Sequence, residues 1–159
     1  KVNLMSGIKI GVISDTHGLL RDEFLEELKN VDLIIHAGDM DKESVFYNLK
    51  DMGKQFVAVR GNCDKGILKS ALPKSDIIDV NGKYIYVVHN IDEIDIEPES
   101  SGIDVVIFGH SHKACEIRKN NILYLNPGGA GPKRFKLPIS MAILTLDDNE
   151  FKVRFKYVR

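Results

Sequence analysis

The chain has 159 residues, with 22 lysines and arginines against 23 aspartates and glutamates, so its formal net charge is −1. This length suits one domain with its own core, and we expect residues 1–159 to form a single domain. The near-zero charge argues against binding nucleic acid through a basic surface, no apolar run is long enough to cross a membrane, and two cysteines are too few for a disulfide framework. We therefore expect a cytoplasmic protein with no membrane or specific nucleic-acid partner. Residues 1–7 are expected to lie outside the first strand and to take no part in the function, with Met5 as the candidate native start.

The first half of the chain alternates apolar strands with single helices. A strand begins at Ile8 and runs into Asp15 and His17, and further strands cover 32–36 and 55–60. Asp41 is expected to cap the second helix, which Gly53 ends. Strands that alternate with single helices indicate parallel βαβ units whose sheet is buried on both faces. The helices are indicated by Leu20, Phe24 and Leu28, and by Val45, Leu49 and Met52, which recur at helical spacing.

The second half of the chain predicts antiparallel pairing. Asn81-Gly82 and Asn120-Asn121 each separate two apolar runs and indicate hairpin turns. An acidic stretch from Ile91 to Gly102 has no clear period and is read as a surface loop, and residues 126–138 are rich in glycine and proline. The strands predicted here cover 77–80, 83–88, 104–108, 114–118, 122–125, 139–146 and 151–158.

Side chains that can bind a metal follow five of the predicted strands. In extended backbone, residues i and i+2 point the same way, so Asp15 and His17 are expected to reach one point in space. Sites in open α/β sheets form beyond the carboxyl ends of the strands. Seven such side chains are too many for one tetrahedral ion and suit two ions that share a bridging carboxylate. The seven are Asp15, His17, Asp39, Asn62, His89, His110 and His112.

This series of motifs resembles the calcineurin-like metallophosphoesterases, in particular their small single-domain phosphodiesterase branch in bacteria and archaea. The matching motifs are Asp15-x-His17, Gly38-Asp39, Gly61-Asn62, His89, Gly109-His110-x-His112 and the later loop Asn126-Pro127-Gly128. The resemblance implies an α/β fold, a four-layer α/β/β/α sandwich with mixed sheets and a dimetal site at the C-terminal ends of the strands. It also implies the ligand sets: Asp15, His17 and His112 for one ion, Asn62, His89 and His110 for the other, and Asp39 between them.

The function implied by the resemblance is that of a divalent-metal-dependent phosphodiesterase. A metal-bridging hydroxide would attack phosphorus in line with the leaving oxygen, with Asp39, Asn62 and His110 as catalytic residues. Manganese is the expected ion, with nickel, iron, cobalt and zinc as alternatives. A small phosphodiester is the expected substrate, and self-association into a homo-oligomer is expected because small family members often associate.

Two other functions stay open at this point. One is a metal-binding but catalytically weak scaffold for protein interactions, like the metallophosphoesterase-like subunit of the retromer coat. The other is a phosphomonoesterase or nucleotidase with the same ligands and a differently shaped pocket.

Three positions depart from the family pattern. Cys63 stands where many members place a histidine after Gly-Asn, Asn90 stands where glycine usually follows His89, and Gly129 stands where the branch commonly has serine. A thiol is a poor general acid, so we expect slow turnover and a preference for diesters with good leaving groups.

Three further residues near the motifs have two readings each. His36 is interpreted as a core histidine whose nitrogens are satisfied, in preference to a metal ligand. Asp64 is either a loop cap or the partner that orients a metal-bound histidine. Arg60 is either a salt-bridge partner or a contact to a substrate phosphate.

Overall fold

The computed structural model describes residues 7–158, so the expectation for Met5 lies outside the described residues. Within this range the α-helices are α1 (Asp22–Leu28), α2 (Glu43–Lys50) and α3 (Ile67–Ala71), and Ile91–Glu93 forms a 3₁₀ helix. None of these helices has the length and apolar character needed to span a membrane. The strands are β1 (Ile8–Ile13), β2 (Leu33–His36), β3 (Gln55–Ala58), β4 (Ser75–Val80), β5 (Lys83–Val88), β6 (Val105–Ile107), β7 (Cys115–Lys119), β8 (Ile122–Asn126), β9 (Ser140–Asp147) and β10 (Glu150–Tyr157).

The strands form two five-stranded mixed sheets. The first has the order β10-β9-β1-β2-β3, in which β1, β2 and β3 are parallel and β9 and β10 are antiparallel to their neighbours. The second has the order β4-β5-β6-β8-β7, with β5, β6 and β8 parallel between two antiparallel edge strands. The predicted α/β fold with mixed sheets is confirmed.

The main core lies between the two sheets, and a second core lies under the helices. Along β1 the side chains alternate between them, because Ile10 and Val12 belong to the inter-sheet core while Ile13 packs with Phe24 and Leu28 of α1. Helix α1 lies so close to the sheet that a Cβ at Gly11 would be 2.3 Å from Leu28 Cδ2. A side chain at this position would force Leu28 to move, so glycine suits the centre of this strand.

The outer face of the second sheet is covered by the chain between Ile91 and Ile103. Ile91, Ile94 and Ile96 pack there against buried side chains that include Tyr86 and Val106. This fourth layer of the sandwich contains a 3₁₀ helix and turns. Pro98 lies within this connection and does not fit the interior of a longer helix.

One local expectation is wrong, and one helix was not predicted. Asp41 does not cap α2, because the helix follows Lys42 without a side-chain cap and the Asp41 carboxylate contacts His17 instead. Helix α3 was not expected, since its five residues are too few to show a helical period. Both hairpin turns are confirmed, and their Asn81 and Asn120 adopt positive φ angles of 55° and 53°.

Candidate metal centre

The loops that carry the candidate ligands all leave the same edge of the sandwich. They follow the carboxyl ends of β1, β2, β3, β5 and β6, which are parallel within each sheet. Hydrogen bonds continue beyond the strands, since Asp15 N–H donates to Gly38 O at 2.9 Å and His17 N–H donates to Asp39 O at 3.0 Å. Across the two sheets, His110 N–H donates to Asp15 Oδ2 at 3.0 Å. The clustering of these residues at the sheet ends is thus as predicted.

The backbone at these positions is left-handed rather than extended. Asp15 has a φ of 54°, His17 of 44° and Asp39 of 66°, and His110 and His112 also have positive φ. The expectation that Asp15 and His17 converge through extended geometry is therefore wrong in its reason, although both side chains do reach one place. Left-handed non-glycine residues are strained and concentrate at functional sites. The hydrogen bonds between the loops hold this backbone.

Asp15, His17 and His112 form the first group. Oδ1 of Asp15, which is fully buried, lies 3.4 Å from Nε2 of His112 and 3.8 Å from Nε2 of His17. The two imidazole Nε2 atoms are 3.3 Å apart and their rings are stacked. Nitrogens bound to one zinc-like ion at about 2.1 Å are themselves roughly 3.0–3.4 Å apart, so the group has the dimensions of a ligand set.

Asp39 lies between this group and His89. Its Oδ2 is 3.2 Å from Nε2 of His89 and 3.8 Å from Nε2 of His17. Its Oδ1 accepts a hydrogen bond from Cys63 N–H at 2.8 Å. One carboxylate oxygen is thus held by the backbone, and the other faces histidines of both predicted ligand sets, as a bridging carboxylate requires.

Asn62 and His110 lie on the solvent side of His89. Asn62 Oδ1 and His110 Nδ1 are 3.2 Å apart, and the rings of His89 and His110 meet edge to face with centroids 5.3 Å apart. Both Asn62 and His110 are exposed. The structure thus brings all seven candidate ligands to one place, and their role as ligands stays a prediction.

Two acceptors fix which nitrogen carries the proton in the imidazoles of His17 and His89. His17 Nδ1 donates to Asp41 Oδ2 at 2.8 Å, and His89 Nδ1 donates to the Ala37 carbonyl at 2.7 Å. A carboxylate and a carbonyl only accept, so the Nε2 atom of each neutral ring keeps its lone pair. This is the arrangement by which proteins orient metal-bound histidines.

The centre has buried polar atoms that lack hydrogen bonds. Among the described residues, Asp15 Oδ1 and His89 Nε2 are buried without a hydrogen-bond partner, and they are 3.9 Å apart. A buried acceptor left unsatisfied is costly. A carboxylate oxygen and an imidazole nitrogen facing each other suit a divalent transition-metal ion. The residues present therefore fit the metal ions implied by the family.

Without metal, the ionisable groups of the centre perturb one another. Burial raises the pKa of Asp15, which nearby His89 and His112 only partly offset. Burial would also raise the pKa of Asp39, but its contact with His89 and the Cys63 N–H lower it to about 2. Burial opposes protonation of His89, but Asp39 and Asp15 raise the pKa of this residue above its ordinary value. The carboxylates thus attract a cation to this point.

Glycines allow the close packing of the loops. A Cβ at Gly61 would lie 2.1 Å from Asp39 Oδ1 and 2.6 Å from the Asp39 backbone nitrogen. A Cβ at Gly109 would lie 2.1 Å from Ser14 Oγ. Gly129, where the family branch commonly has serine, has no room for a side chain either, because a Cβ would lie 2.6 Å from Nδ1 of His112. Glycine at position 129 therefore leaves the space that the His112 ring occupies in this chain.

Contacts in the structure decide between the two interpretations of His36 and of Asp64. His36 is fully buried between Thr16 Oγ1 and the Gly38 N–H, each 3.0 Å from one of its ring nitrogens, so the interpretation as a satisfied core histidine holds. Asp64 accepts hydrogen bonds from the backbone N–H groups of Asp39, Asp41 and Gly61, and so acts as a loop cap.

Arg60 and Asn90 also have defined contacts. Arg60 donates to the Leu72 carbonyl at 2.9 Å, so a backbone contact takes the place of the salt bridge, and a contact to a substrate phosphate stays a prediction. Asn90 caps the 3₁₀ helix, since its Oδ1 accepts from Asp92 N–H at 3.0 Å. Its departure from the family's glycine thus has a structural role directly after His89.

Sequence reasoning missed two contributors to the centre. Asp41 orients His17, and Ser14 Oγ donates to Asp15 Oδ2 at 2.9 Å. A signal for Asp41 was present, because it follows Asp39 at the same two-residue spacing that links Asp15 and His17. The direct neighbour Ser14 carried no such signal.

Comparison with known proteins identifies the class. Residues 8–149 match the family model of the calcineurin-like phosphoesterase superfamily domain, so the chain belongs to this superfamily of metallophosphoesterases, as the motifs predicted.

Three proteins illustrate the range of similarity. The chain is 36% identical over 159 residues to the "Probable metallophosphoesterase MJ0623" of Methanocaldococcus jannaschii, covering 91% of this chain and 79% of the relative. It is 26% identical to "Phosphodiesterase MJ0936" of the same organism, covering 91% and 97%. Among solved structures, vacuolar protein sorting 29 from Cryptosporidium parvum matches with a TM-score of 0.77 at 20% identity, covering 96% and 98%, which shows a shared fold alone.

Proposed function

We propose that the protein is a divalent-metal-dependent phosphodiesterase. The observation that carries the proposal is the convergence of unsatisfied acceptors, in which Asp15 Oδ1 and His89 Nε2 face one another beside Asp39 Oδ2. A centre built only to stabilise the fold would pair these atoms with donors. The similarity to a relative named a phosphodiesterase supports the choice of diesters within the superfamily.

The residues of the chain have distinct parts in this proposal. Asp15, His17 and His112 would hold one ion, and Asn62, His89 and His110 the other, with Asp39 Oδ2 shared. When bound, the ions would neutralise the anionic phosphoester and lower the pKa of a coordinated water. Asp41 and the Ala37 carbonyl keep two imidazoles in the tautomer that presents Nε2. The exposed amide of Asn62 would donate to a phosphoryl oxygen as negative charge develops there.

Cys63 makes proton donation to the leaving group weak. Burial, together with the negative charges of Asp39 and Asp41, raises the pKa of its thiol above the ordinary value. A neutral thiol of this kind is a weaker acid than an imidazolium ion. The proposal therefore includes a preference for leaving groups that depart as stable anions, such as nitrophenolate.

The test compares a diester with a monoester. Chelator-treated protein is assayed on bis(4-nitrophenyl) phosphate and on 4-nitrophenyl phosphate with added manganese, nickel or zinc. We expect manganese to restore diester hydrolysis, and Asp39→Asn to lower it by about 10²-fold or more. The matched control is Asp51→Asn, which changes an exposed carboxylate after α2 and should leave the rate unchanged. Faster hydrolysis of the monoester would assign a phosphomonoesterase, and metal binding without turnover would assign the interaction scaffold.

The proposal also includes a cytoplasmic location and self-association into a homo-oligomer. Cys63 and Cys115 are both free thiols, which suits a reducing cytoplasm. A homo-oligomer is expected by the resemblance to small family members, and sedimentation of the purified protein tests it.

A further inference from the structure

A cavity of about 380 Å³ opens directly beside the candidate metal centre. Asn62 and His89, two of the predicted ligands, form part of its wall. The rest of the wall comes from the chain around Gly61, from α3 and from the residues after His89. A group bound in this cavity would therefore be close enough to belong to the same molecule as the reacting phosphoester.

The wall of this cavity is strongly cationic. It contains Arg60, Lys65, Lys69 and Lys74 but only two carboxylates, an excess of two positive charges in a chain whose net charge is −1. Asp64 is one of the carboxylates, and it is buried and engaged by three backbone N–H groups. The other, Glu93, is 3.8 Å from Lys74, and both side chains are more than half exposed, so their attraction is weak.

Arg60 is held by hydrogen bonds at both its side chain and its backbone. Its Nη1 donates to the Leu72 carbonyl and its backbone N–H donates to the Pro73 carbonyl, each at 2.9 Å. The guanidinium is thereby held at the cavity wall, whereas Lys65 and Lys69 are exposed and can move toward a ligand. A fixed guanidinium with mobile ammonium groups around it suits a phosphate, because the planar guanidinium donates to two oxygens at once.

We propose that this cavity is a subsite for a second phosphate, carried on one ester arm of the substrate. The inference rests on the proposed function and narrows its substrate class to phosphodiesters that bear an additional phosphate group. The single charge of the reacting diester is accounted for at the candidate metal centre. A substrate with uncharged arms would leave the cations of the cavity without an anionic partner. A concave wall of positive charge also raises the local concentration of anions.

Two probes that differ only in one phosphate test the subsite. They are thymidine 5′-(4-nitrophenyl phosphate) and the same compound with a 3′-phosphate, assayed with the manganese-loaded protein. We expect the 3′-phosphate to raise kcat/KM about tenfold at low salt and less at high salt, because exposed cations are screened. In the Lys65→Gln/Lys69→Gln variant, kcat/KM for the two probes should differ by no more than about twofold.

A binding measurement and a control variant complete the design. Calorimetry compares thymidine 3′,5′-bisphosphate with thymidine 5′-monophosphate and needs no turnover. The control is Lys119→Gln/Lys152→Gln, which removes two exposed lysines from a separate cavity at the opposite edge of the sheets and should keep the wild-type ratio.

Each outcome decides one of the two proposals. The subsite proposal would be overturned if the wild type had equal kcat/KM for both probes. It would also be overturned if Lys65→Gln/Lys69→Gln kept the preference for the probe with the 3′-phosphate. Hydrolysis of neither probe would instead overturn the phosphodiesterase proposal, and the calorimetric ratio would still report on the cavity.

Discussion

The carboxylate of Asp41 accepts a hydrogen bond from Nδ1 of His17 across 2.8 Å. This contact joins the loop after β2 to the loop after β1, and both residues have left-handed backbone, with φ of 66° and 44°. The negative charge of Asp41 keeps the proton on Nδ1 and makes Nε2 the more basic nitrogen. Asp41 is thus expected to act on metal binding through His17 rather than by touching the ion.

Asp41→Asn tests this relationship. Asparagine tolerates the left-handed backbone, but its neutral oxygen accepts a weaker hydrogen bond from the imidazole. We expect the affinity for manganese to fall by about 10–100-fold, measured by calorimetry on chelator-treated protein. Asp51→Asn serves as the control, and an unchanged affinity in Asp41→Asn would show that the contact does not tune His17.

Gly61→Ala should separate close packing from the ligands themselves. The added Cβ has to displace Asp39, whose Oδ1 would be 2.1 Å away. We expect diester hydrolysis to fall by about 10²-fold, because a misplacement of the order of 1 Å is enough for such a loss. Gly53→Ala is the comparison: Gly53 has a positive φ of 75°, so alanine strains its backbone, but the space around it is open. Comparable losses of activity in both variants would contradict the packing argument.

Asp64→Asn should destabilise the loops that carry Asp39 and Gly61. The carboxylate accepts from three backbone N–H groups with its two oxygens, whereas an amide would turn an NH₂ group toward at least one of them. We expect the free energy of unfolding in urea to fall by about 2–4 kcal/mol. Asp92→Asn, at an exposed position, should change it by no more than about 0.5 kcal/mol. If the unfolding free energy of Asp64→Asn changed as little, the hydrogen bonds to the Asp64 carboxylate would not stabilise the loops.

His36 makes the stability depend on pH. Complete burial lowers the pKa of this imidazole to about 3, because a charged ring loses its hydration there. A proton on Nδ1 would also face the Gly38 N–H. The unfolded chain, with an ordinary pKa of 6.5, then binds more protons between pH 6.5 and 3, so this contribution to stability is lost as the pH falls.

The difference in unfolding free energy between wild type and His36→Asn isolates this effect from the opposite contribution of His89. In metal-free protein, lowering the pH from 7 to 5 should reduce the unfolding free energy of the wild type by about 2 kcal/mol more than that of His36→Asn. A difference that stays constant over this range would mean that His36 is not buried in its neutral form.

Much of the fold and of the centre followed from local patterns in the sequence. The alternation of strands and helices predicted parallel pairing, and Asn81-Gly82 predicted a hairpin, because both are determined by neighbouring residues. The motif residues were found because each directly follows a strand.

The rest depended on contacts between distant parts of the chain. Asp41 resembled a helix cap because only the fold brings it to His17, and the three donors to Asp64 come from two different loops. The cationic cavity was invisible for the same reason, because Arg60 and Lys74 are brought together by the turn around α3.

Anomalous scattering from crystals soaked in manganese tests the central claim most directly. We expect two peaks for each chain, one among Asp15, His17 and His112 and one beside His89, with Asp39 Oδ2 next to both. No peak at this edge of the sheets under saturating metal, or manganese bound only elsewhere, would contradict the account.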